Sequence, residues 1–209
     1  MGLPIFCILI FIVLLRFIPL CISTYFNIPS IVKLQIAIGA DLNSSWLWNE
    51  TPLMTASYTN RLEIFELLIK ANADVNARVH NFYGETVLHR SSRDGCYECV
   101  AILLQKGIEV NVRDSVGRTA VYFASDQPTI VKAILTAGGD PNIPDVRGNT
   151  PLMSAVKSEN IETIKVLLLY GATTESVSLN GETAGSIAEM VGNERIRRLL
   201  KGRGEDSGP

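Results

Sequence analysis

The sequence has few of the residues that catalysis and metal binding most often use. It contains only two histidines and four cysteines in 209 residues. No serine, cysteine or carboxylate stands near a second histidine in a pattern typical of nucleophilic catalysis. Phosphate-binding loops need several glycines together, whereas Gly84, Gly117, Gly148 and Gly181 stand 31 to 33 residues apart. The sequence therefore predicts that the chain is not an enzyme and needs no cofactor, metal ion or small-molecule ligand.

The chain also lacks an excess of charge of one sign. Its 19 Lys and Arg residues against 21 Asp and Glu residues give a formal charge of −2 at pH 7. Because no positive field surrounds such a chain, nucleic-acid binding is not expected. With 47% hydrophobic and 19% charged residues, the composition is that of an ordered protein.

The four cysteines are too few and too unevenly placed for a disulfide framework. Cys7 and Cys21 lie in an apolar N-terminal stretch, and Cys96 and Cys99 are three positions apart. A reducing compartment is the simpler interpretation for the folded part. Cys96 and Cys99 match half of a zinc site, but no second pair completes it. We interpret them as small packing residues, with metal or redox chemistry as the alternative.

A repeat of about 33 residues runs through most of the chain. Phrases such as Gly39-Ala40-Asp41-Leu42-Asn43 recur, ending at intervals of 33, 35 and 31 residues, at Asn43, Asn76, Asn111 and Asn142. A second marker recurs at intervals of 35, 33, 31 and 33 residues, at Thr51, Thr86, Thr119, Thr150 and Thr183. Two markers in step indicate a repeat architecture.

These phrases resemble the ankyrin repeat, and the resemblance covers residues 18–201. It implies an all-α solenoid of stacked helix-turn-helix pairs joined by β-hairpin finger loops. Six repeats are expected, the first of them degenerate, at 18–43, 44–76, 77–111, 112–142, 143–175 and 176–201. Each repeat is too small to bury its own apolar face and becomes stable by packing on its neighbours.

Several residues are assigned structural roles in this repeat. Threonine at the start of a first helix can cap it, and proline at the next position loses no hydrogen bond. Glycine two residues before the threonine suits a turn with positive φ. In the ankyrin phrase Thr-Pro-Leu-His, the histidine makes structural hydrogen bonds, which implies the same for His89. The structural residues are Thr51, Pro52, Gly84, Thr86, His89, Gly117, Thr119, Gly148, Thr150, Pro151 and Gly181.

Large aromatic side chains gather in two neighbouring fingers. They are Trp46 and Trp48 in one finger, and His80, Phe82 and Tyr83 in the next. The resemblance implies that fingers and first helices line a concave surface where another protein docks, and exposed aromatics are typical anchors there. Packing between fingers is the alternative role. The predicted function is non-catalytic protein–protein interaction as an adaptor; the alternative is a substrate-recognition subunit of a larger enzymatic complex such as a ubiquitin ligase.

The two ends of the chain lie outside the predicted repeats. Residues 1–17 form a hydrophobic segment within an apolar run from Leu3 to Ile22. Three interpretations stay open: a signal-anchor or membrane segment, a cap on the repeats, and a signal peptide cleaved after Ser23. The first two place the repeats in the cytoplasm, membrane-anchored in the first case, whereas the third makes the protein secreted. Residues 202–209 are predicted to be a disordered tail.

Overall fold

The computed structural model describes residues 18–45, 50–78 and 83–202. Within these ranges it contains twelve helices and no strand, apart from an isolated antiparallel bridge between Arg78 and Thr86. The helices alternate as first and second members of six pairs. The first helices are α1 (Leu20–Tyr25), α3 (Pro52–Tyr58), α5 (Val87–Asp94), α7 (Ala120–Phe123), α9 (Pro151–Lys157) and α11 (Ala184–Val191). The second helices are α2 (Pro29–Ala37), α4 (Leu62–Lys70), α6 (Tyr97–Gln105), α8 (Pro128–Thr136), α10 (Ile161–Leu169) and α12 (Glu194–Lys201). The predicted fold class is confirmed.

Local chemistry fixes where the helices begin. The hydroxyl of Thr51 accepts a hydrogen bond from the backbone N–H of Met54 at 3.3 Å, and Thr150 does the same for Met153 at 3.3 Å. Such a bond satisfies one of the N–H groups that the first turn leaves without a partner. Proline follows each of these two threonines and fits the first helical position.

Left-handed residues end the helices. Asn72, Gly107, Gly138 and Gly171, which follow second helices, have φ between 64° and 93°. Glycine reaches this conformation without steric cost, and asparagine tolerates it better than most residues. Each of these four second helices therefore stops where the repeat pattern places such a residue, and the chain turns into the next loop.

The chain divides into two compact units, residues 1–99 and residues 100–209. In the described part of the N-terminal unit, α1 packs on α3, α3 on α5, and α2 on α4. Leu53, Phe65 and Leu68 are fully or almost fully buried between them. Ser57 of α3 and Ser91 of α5 also share a buried hydrogen bond of 2.7 Å. First helices thus stack on first helices, and second on second, in this unit.

The C-terminal unit repeats the same arrangement. Helix α9 packs on α7 and α11, and α10 packs on α8 and α12. Its core holds five fully or almost fully buried side chains: Ile130, Ile134, Leu152, Ile164 and Leu167. Since no pair of helices could bury these residues alone, the packing between repeats supplies the core.

Successive fingers of the C-terminal unit are joined by backbone hydrogen bonds. The N–H of Val146 donates to the carbonyl of Val116 at 2.9 Å, and the N–H of Leu179 donates to the carbonyl of Arg147 at 2.8 Å. The contact is close, because a Cβ on Gly148 would meet the Cα of Ser178 at 3.1 Å. Gly117 and Gly148 therefore serve both a positive-φ turn and this approach between loops.

The predicted N-terminal segment, residues 1–17, and most of the predicted tail, residues 203–209, lie outside the described residues. Helix α1 contains Ser23, after which the signal-peptide interpretation places a cleavage. Among the described residues, no helix is both long enough and apolar enough to cross a membrane.

Candidate functional site

Four of the five predicted binding aromatics, Trp46, Trp48, His80 and Phe82, lie outside the described residues. The fifth, Tyr83, is described and is 49% exposed. It precedes Gly84, whose φ is 57° and whose carbonyl accepts a 3.1 Å hydrogen bond from the guanidinium of Arg78. Tyr83 is thus held at the base of its finger with half of its surface open.

Two further tyrosines lie at matching ends of neighbouring first helices. Tyr25 is the last residue of α1 and Tyr58 the last of α3, and they are 53% and 50% exposed. Phe26, which is 67% exposed, meets Tyr25 edge to face with ring centroids 5.5 Å apart. The sequence pattern did not assign Tyr25 and Tyr58 to the site. The signal available was the recurrence of tyrosine at one repeat position.

An ion-paired group, which we call the arginine cluster, lies beside Tyr58. It consists of Glu50, Glu85, Arg90, Arg93 and Asp94. The Arg90 guanidinium lies 5.4 Å from the centre of the Tyr58 ring and 2.6 Å from Glu50. Arg93 donates one hydrogen bond to each carboxylate oxygen of Glu85, both 2.7 Å long. These contacts hold the arginines in place, and a cation over a ring further fixes its orientation.

The arginine cluster is partly desolvated and carries one surplus negative charge, because it has three carboxylates and two guanidinium groups. Burial raises the pKa of Glu50 despite the nearby Arg90 charge, and burial likewise raises the pKa of Asp94 despite Arg90 and Arg93. In both carboxyl groups the loss of hydration outweighs the attraction of the neighbouring guanidinium groups.

The first helices of the C-terminal unit offer less aromatic surface. Arg118 covers Phe123 with its guanidinium 4.4 Å from the ring centre, and it also pairs with Asp114 at 2.8 Å. Burial, followed by the Asp145 charge, raises the pKa of Tyr122. The most exposed apolar side chains of this unit are aliphatic, and Leu179 is 80% exposed. The open tyrosine rings are thus a feature of the N-terminal unit.

The residues assigned structural roles lie at helix starts and finger turns. Thr86 donates its backbone N–H to Nδ1 of His89 at 3.1 Å, and its hydroxyl lies 2.8 Å from the same nitrogen. Gly84, Gly117, Gly148 and Gly181 all have positive φ. Thr119 stands at the start of α7, but its buried hydroxyl finds no hydrogen-bond partner among the described residues.

The cysteine pair differs from its interpretation as two packing thiols. Cys96 and Cys99 are buried, with 4% and 0% exposure, but a disulfide joins them. The expectation of unbonded cysteines is wrong for this pair, because one helical turn brings the two residues within bonding distance. In the described part of the chain, no group of three or more potential ligands could hold a metal ion.

Arg197, Arg198 and Lys201, near the C-terminus, form ion pairs with nearby carboxylates. Arg197 lies 2.8 Å from both Glu189 and Glu194, and Lys201 lies 3.5 Å from Glu189. Since these partners belong to the same repeat, the end of the array carries a mixed charged surface, as expected of a terminal repeat.

Paired helices, left-handed stops and joined fingers define a helical-repeat protein. The family described as "Ankyrin repeats (3 copies)" matches residues 20–114 and 117–207, so the chain belongs to the ankyrin repeat family. Ankyrin repeats serve protein–protein interaction, and proteins of this family are generally non-enzymatic interaction modules.

Known relatives share the repeats within proteins of different kinds. The chain is 30% identical to the nuclear factor NF-kappa-B p105 subunit of Gallus gallus over 84% of this chain and 19% of that protein. It is 30% identical to the ankyrin repeat protein FPV031 of fowlpox virus (strain NVSL) over 86% of this chain and 56% of that protein. It is 29% identical to the E3 ubiquitin-protein ligase KEG of Arabidopsis thaliana over 49% of this chain and 6% of that protein. The chain spans less than two thirds of the length of each.

Proposed function

We propose that the chain is a non-catalytic adaptor that binds another protein through the first helices and fingers of its N-terminal unit. The observation that carries this proposal is the set of half-exposed tyrosines, Tyr25, Tyr58 and Tyr83, on these elements. Aromatic rings are the most common anchors of protein interfaces, because each buries much area at low entropic cost.

The neighbourhood of the rings supports a binding role. Tyr58 lies against the arginine cluster, whose groups are already held by ion pairs. A surface whose side chains are fixed beforehand loses little conformational entropy when a partner binds. Trp46, Trp48, His80 and Phe82 belong to the same proposal on sequence grounds alone, since they lie in the fingers of the same unit.

The test compares partner capture by matched tyrosine variants. Tyr58→Ala and Tyr83→Ala remove rings from the proposed surface. Tyr97→Ala is the control, because Tyr97 is similarly exposed at 46% but lies on a second helix of the same unit. A protein captured by the wild type is purified, and its Kd is measured for each variant. We expect the first two changes to weaken binding about tenfold or more each, and Tyr97→Ala to leave it within about twofold.

The outcomes separate binding from folding. Circular dichroism and melting temperature should stay close to wild type for all three variants, because each ring is about half exposed. Equal Kd values for wild type, Tyr58→Ala and Tyr83→Ala would refute the proposed surface. A stronger effect of Tyr97→Ala would move the binding site to the second helices. The combined replacement of Trp46, Trp48, Phe82 and Tyr83 by alanine extends the test to the fingers.

A second candidate is a substrate-recognition subunit of a ubiquitin ligase. Similarity to the ligase KEG favours it, although the match covers only 6% of that protein. In this case the captured proteins would include a ligase component, and ubiquitination of another captured protein in a reconstituted reaction would depend on this chain. Reconstituted transfer that proceeds equally without the chain would reject this candidate.

The location of the protein is a separate part of the proposal. We place the repeats in the cytoplasm, and the apolar composition of residues 3–22 is the reason to test for a membrane anchor. Protease treatment of sealed membranes distinguishes the cases. Repeats digested without detergent face the cytoplasm, whereas protected or secreted repeats would support the cleaved-signal alternative.

A further inference from the structure

The two bonded cysteines occupy a defined place at the start of a second helix. Cys96 directly precedes Tyr97, the first residue of α6, and Cys99 lies in the first turn. At the start of α10 the same two positions are Asn160 and Thr163, where the asparagine side chain accepts the N–H of Thr163 at 2.9 Å. In α12, Asn193 accepts the N–H of Ile196 at 3.4 Å. The disulfide therefore joins the two residues that a capping hydrogen bond joins elsewhere.

The surroundings suit both the bonded and the reduced pair. The Cα atoms of Cys96 and Cys99 are 5.3 Å apart, a separation that a disulfide spans without backbone movement. The Cys96 sulfur also lies 3.6 Å from Oδ1 of Asn60, which would accept the S–H of a reduced thiol. The N–H of Cys99 lies 3.3 Å from the same sulfur, the capping contact of a helix start. Neither state leaves the sulfur of Cys96 without a polar partner.

We propose that Cys96 and Cys99 are a reversible dithiol–disulfide site that exchanges with a small disulfide such as oxidised glutathione. Cys96 is the entry sulfur, since it is 4% exposed whereas Cys99 is fully buried. Its thiolate is favoured by the N–H of Cys99, 3.3 Å away, and by the positive end of the helix dipole at the start of α6. This site is independent of the proposed binding surface.

The exchange balances in two steps. The Cys96 thiolate attacks one sulfur of oxidised glutathione, the glutathione S–S bond breaks, and one glutathione thiolate leaves. The Cys99 thiol then loses its proton to that thiolate. The Cys99 sulfur attacks the Cys96 sulfur of the mixed disulfide, which breaks the bond between Cys96 and glutathione and releases the second glutathione. Two protein thiols are oxidised and one glutathione disulfide is reduced to two thiols. Reduction of the protein follows the same steps in reverse.

The test uses the full chain in mixtures of reduced and oxidised glutathione. Samples are quenched with acid and alkylated after unfolding, and the peptide that carries both cysteines is weighed by mass spectrometry. We expect the fraction of protein with the intramolecular disulfide to fall as reduced glutathione increases. This fraction should depend on the squared concentration of reduced glutathione divided by the concentration of oxidised glutathione. Cys21, a buried cysteine of α1 that lies outside this disulfide, is the internal control and should remain alkylated throughout.

Two variants identify the entry sulfur. Cys99→Ser should accumulate glutathione on Cys96, and Cys96→Ser should leave Cys99 unmodified at least tenfold longer in the folded protein, as checked by circular dichroism. The titration of the wild type gives a result even if neither variant folds. Two thiols in oxidised glutathione alone, a bond that persists in excess reduced glutathione, or a disulfide between chains would each overturn the proposal. Faster modification of Cys99 would overturn the assignment of Cys96.

Discussion

The carboxylate of Glu85 accepts two 2.7 Å hydrogen bonds from the guanidinium of Arg93, and its side chain is only 2% exposed. A bidentate pair of this kind is stronger and more specific than a single contact. Because Glu85 precedes α5 and Arg93 lies near its end, the pair ties the base of the finger to the helix. The buried carboxylate of Glu85 therefore depends on this pair more than the partly exposed guanidinium of Arg93 does.

Replacing Arg93 with methionine should destabilise the protein by about 2 kcal/mol, because the buried carboxylate of Glu85 loses its main counter-charge. Arg90 remains 3.8 Å from Glu85 and limits the loss. Urea unfolding followed by circular dichroism measures the difference. The matched control is Lys70→Met, whose exposed pair with Glu66 should contribute less than about 0.5 kcal/mol. Equal losses in the two variants would contradict the role given to the buried pair.

Replacing Asp94 with asparagine should stabilise the protein at neutral pH. Burial raises the pKa of Asp94 in the folded protein above its value in the unfolded chain. The folded state therefore binds this proton more tightly, and stability is lost as the pH rises from the unfolded pKa through the folded one. The last residue of a helix is also unfavourable for a negative charge. The gain should be present near about pH 7 and disappear near about pH 3.

Glu189 should show the opposite dependence of protein stability on pH. The hydrogen bond from Arg197 lowers the pKa of Glu189, so its ionised form stabilises the fold. Stability from this group is present above the unfolded pKa and is lost as the pH falls through the folded pKa. Glu189→Gln should therefore be less stable than wild type at neutral pH. The same sign of pH dependence in both variants would show that the electrostatic assignments are wrong.

The capping threonines should respond unequally to loss of their hydroxyl groups. Thr150 accepts the N–H of Met153, whereas the hydroxyl of Thr119 has no partner in the described structure, and both residues are buried. Thr150→Val should cost about 1 kcal/mol. Thr119→Val keeps the shape and removes an unsatisfied polar group, so it should be neutral or stabilising. Thermal and urea unfolding of the two variants check this order. A larger loss of stability for Thr119→Val than for Thr150→Val would contradict it.

Gly148, in a finger, should tolerate substitution less well than Gly171, which follows a second helix. Gly148 and Gly171 have φ of 78° and 86°, so alanine pays about 1 kcal/mol of backbone strain at either site. A Cβ on Gly148 would in addition lie 3.1 Å from the Cα of Ser178, whereas nothing lies within 4 Å at Gly171. Gly148→Ala should therefore lower the melting temperature more than Gly171→Ala. The reverse order would mean that the contact between fingers is not tight.

The fold could be predicted from the sequence because its determinants are local. Threonines at helix starts and glycines at turns recur at fixed positions, and each acts within its own repeat. The contact of Arg90 with Tyr58 could not be read in this way, since the two residues come from consecutive repeats. The spacing of Cys96 and Cys99 was visible, but only the path of the backbone shows that their sulfurs can meet. The binding role of Trp46 stays a prediction.

The central proposal is that the chain binds a partner protein through the first helices and fingers of the N-terminal unit. Hydroxyl-radical footprinting of the chain, with and without its purified partner, tests this most directly because tyrosine oxidation reports the accessibility of each ring. We predict that the partner protects Tyr25, Tyr58 and Tyr83 and leaves Tyr97 unchanged. Protection of Tyr97 with the other three tyrosines equally oxidised in both states would contradict the account.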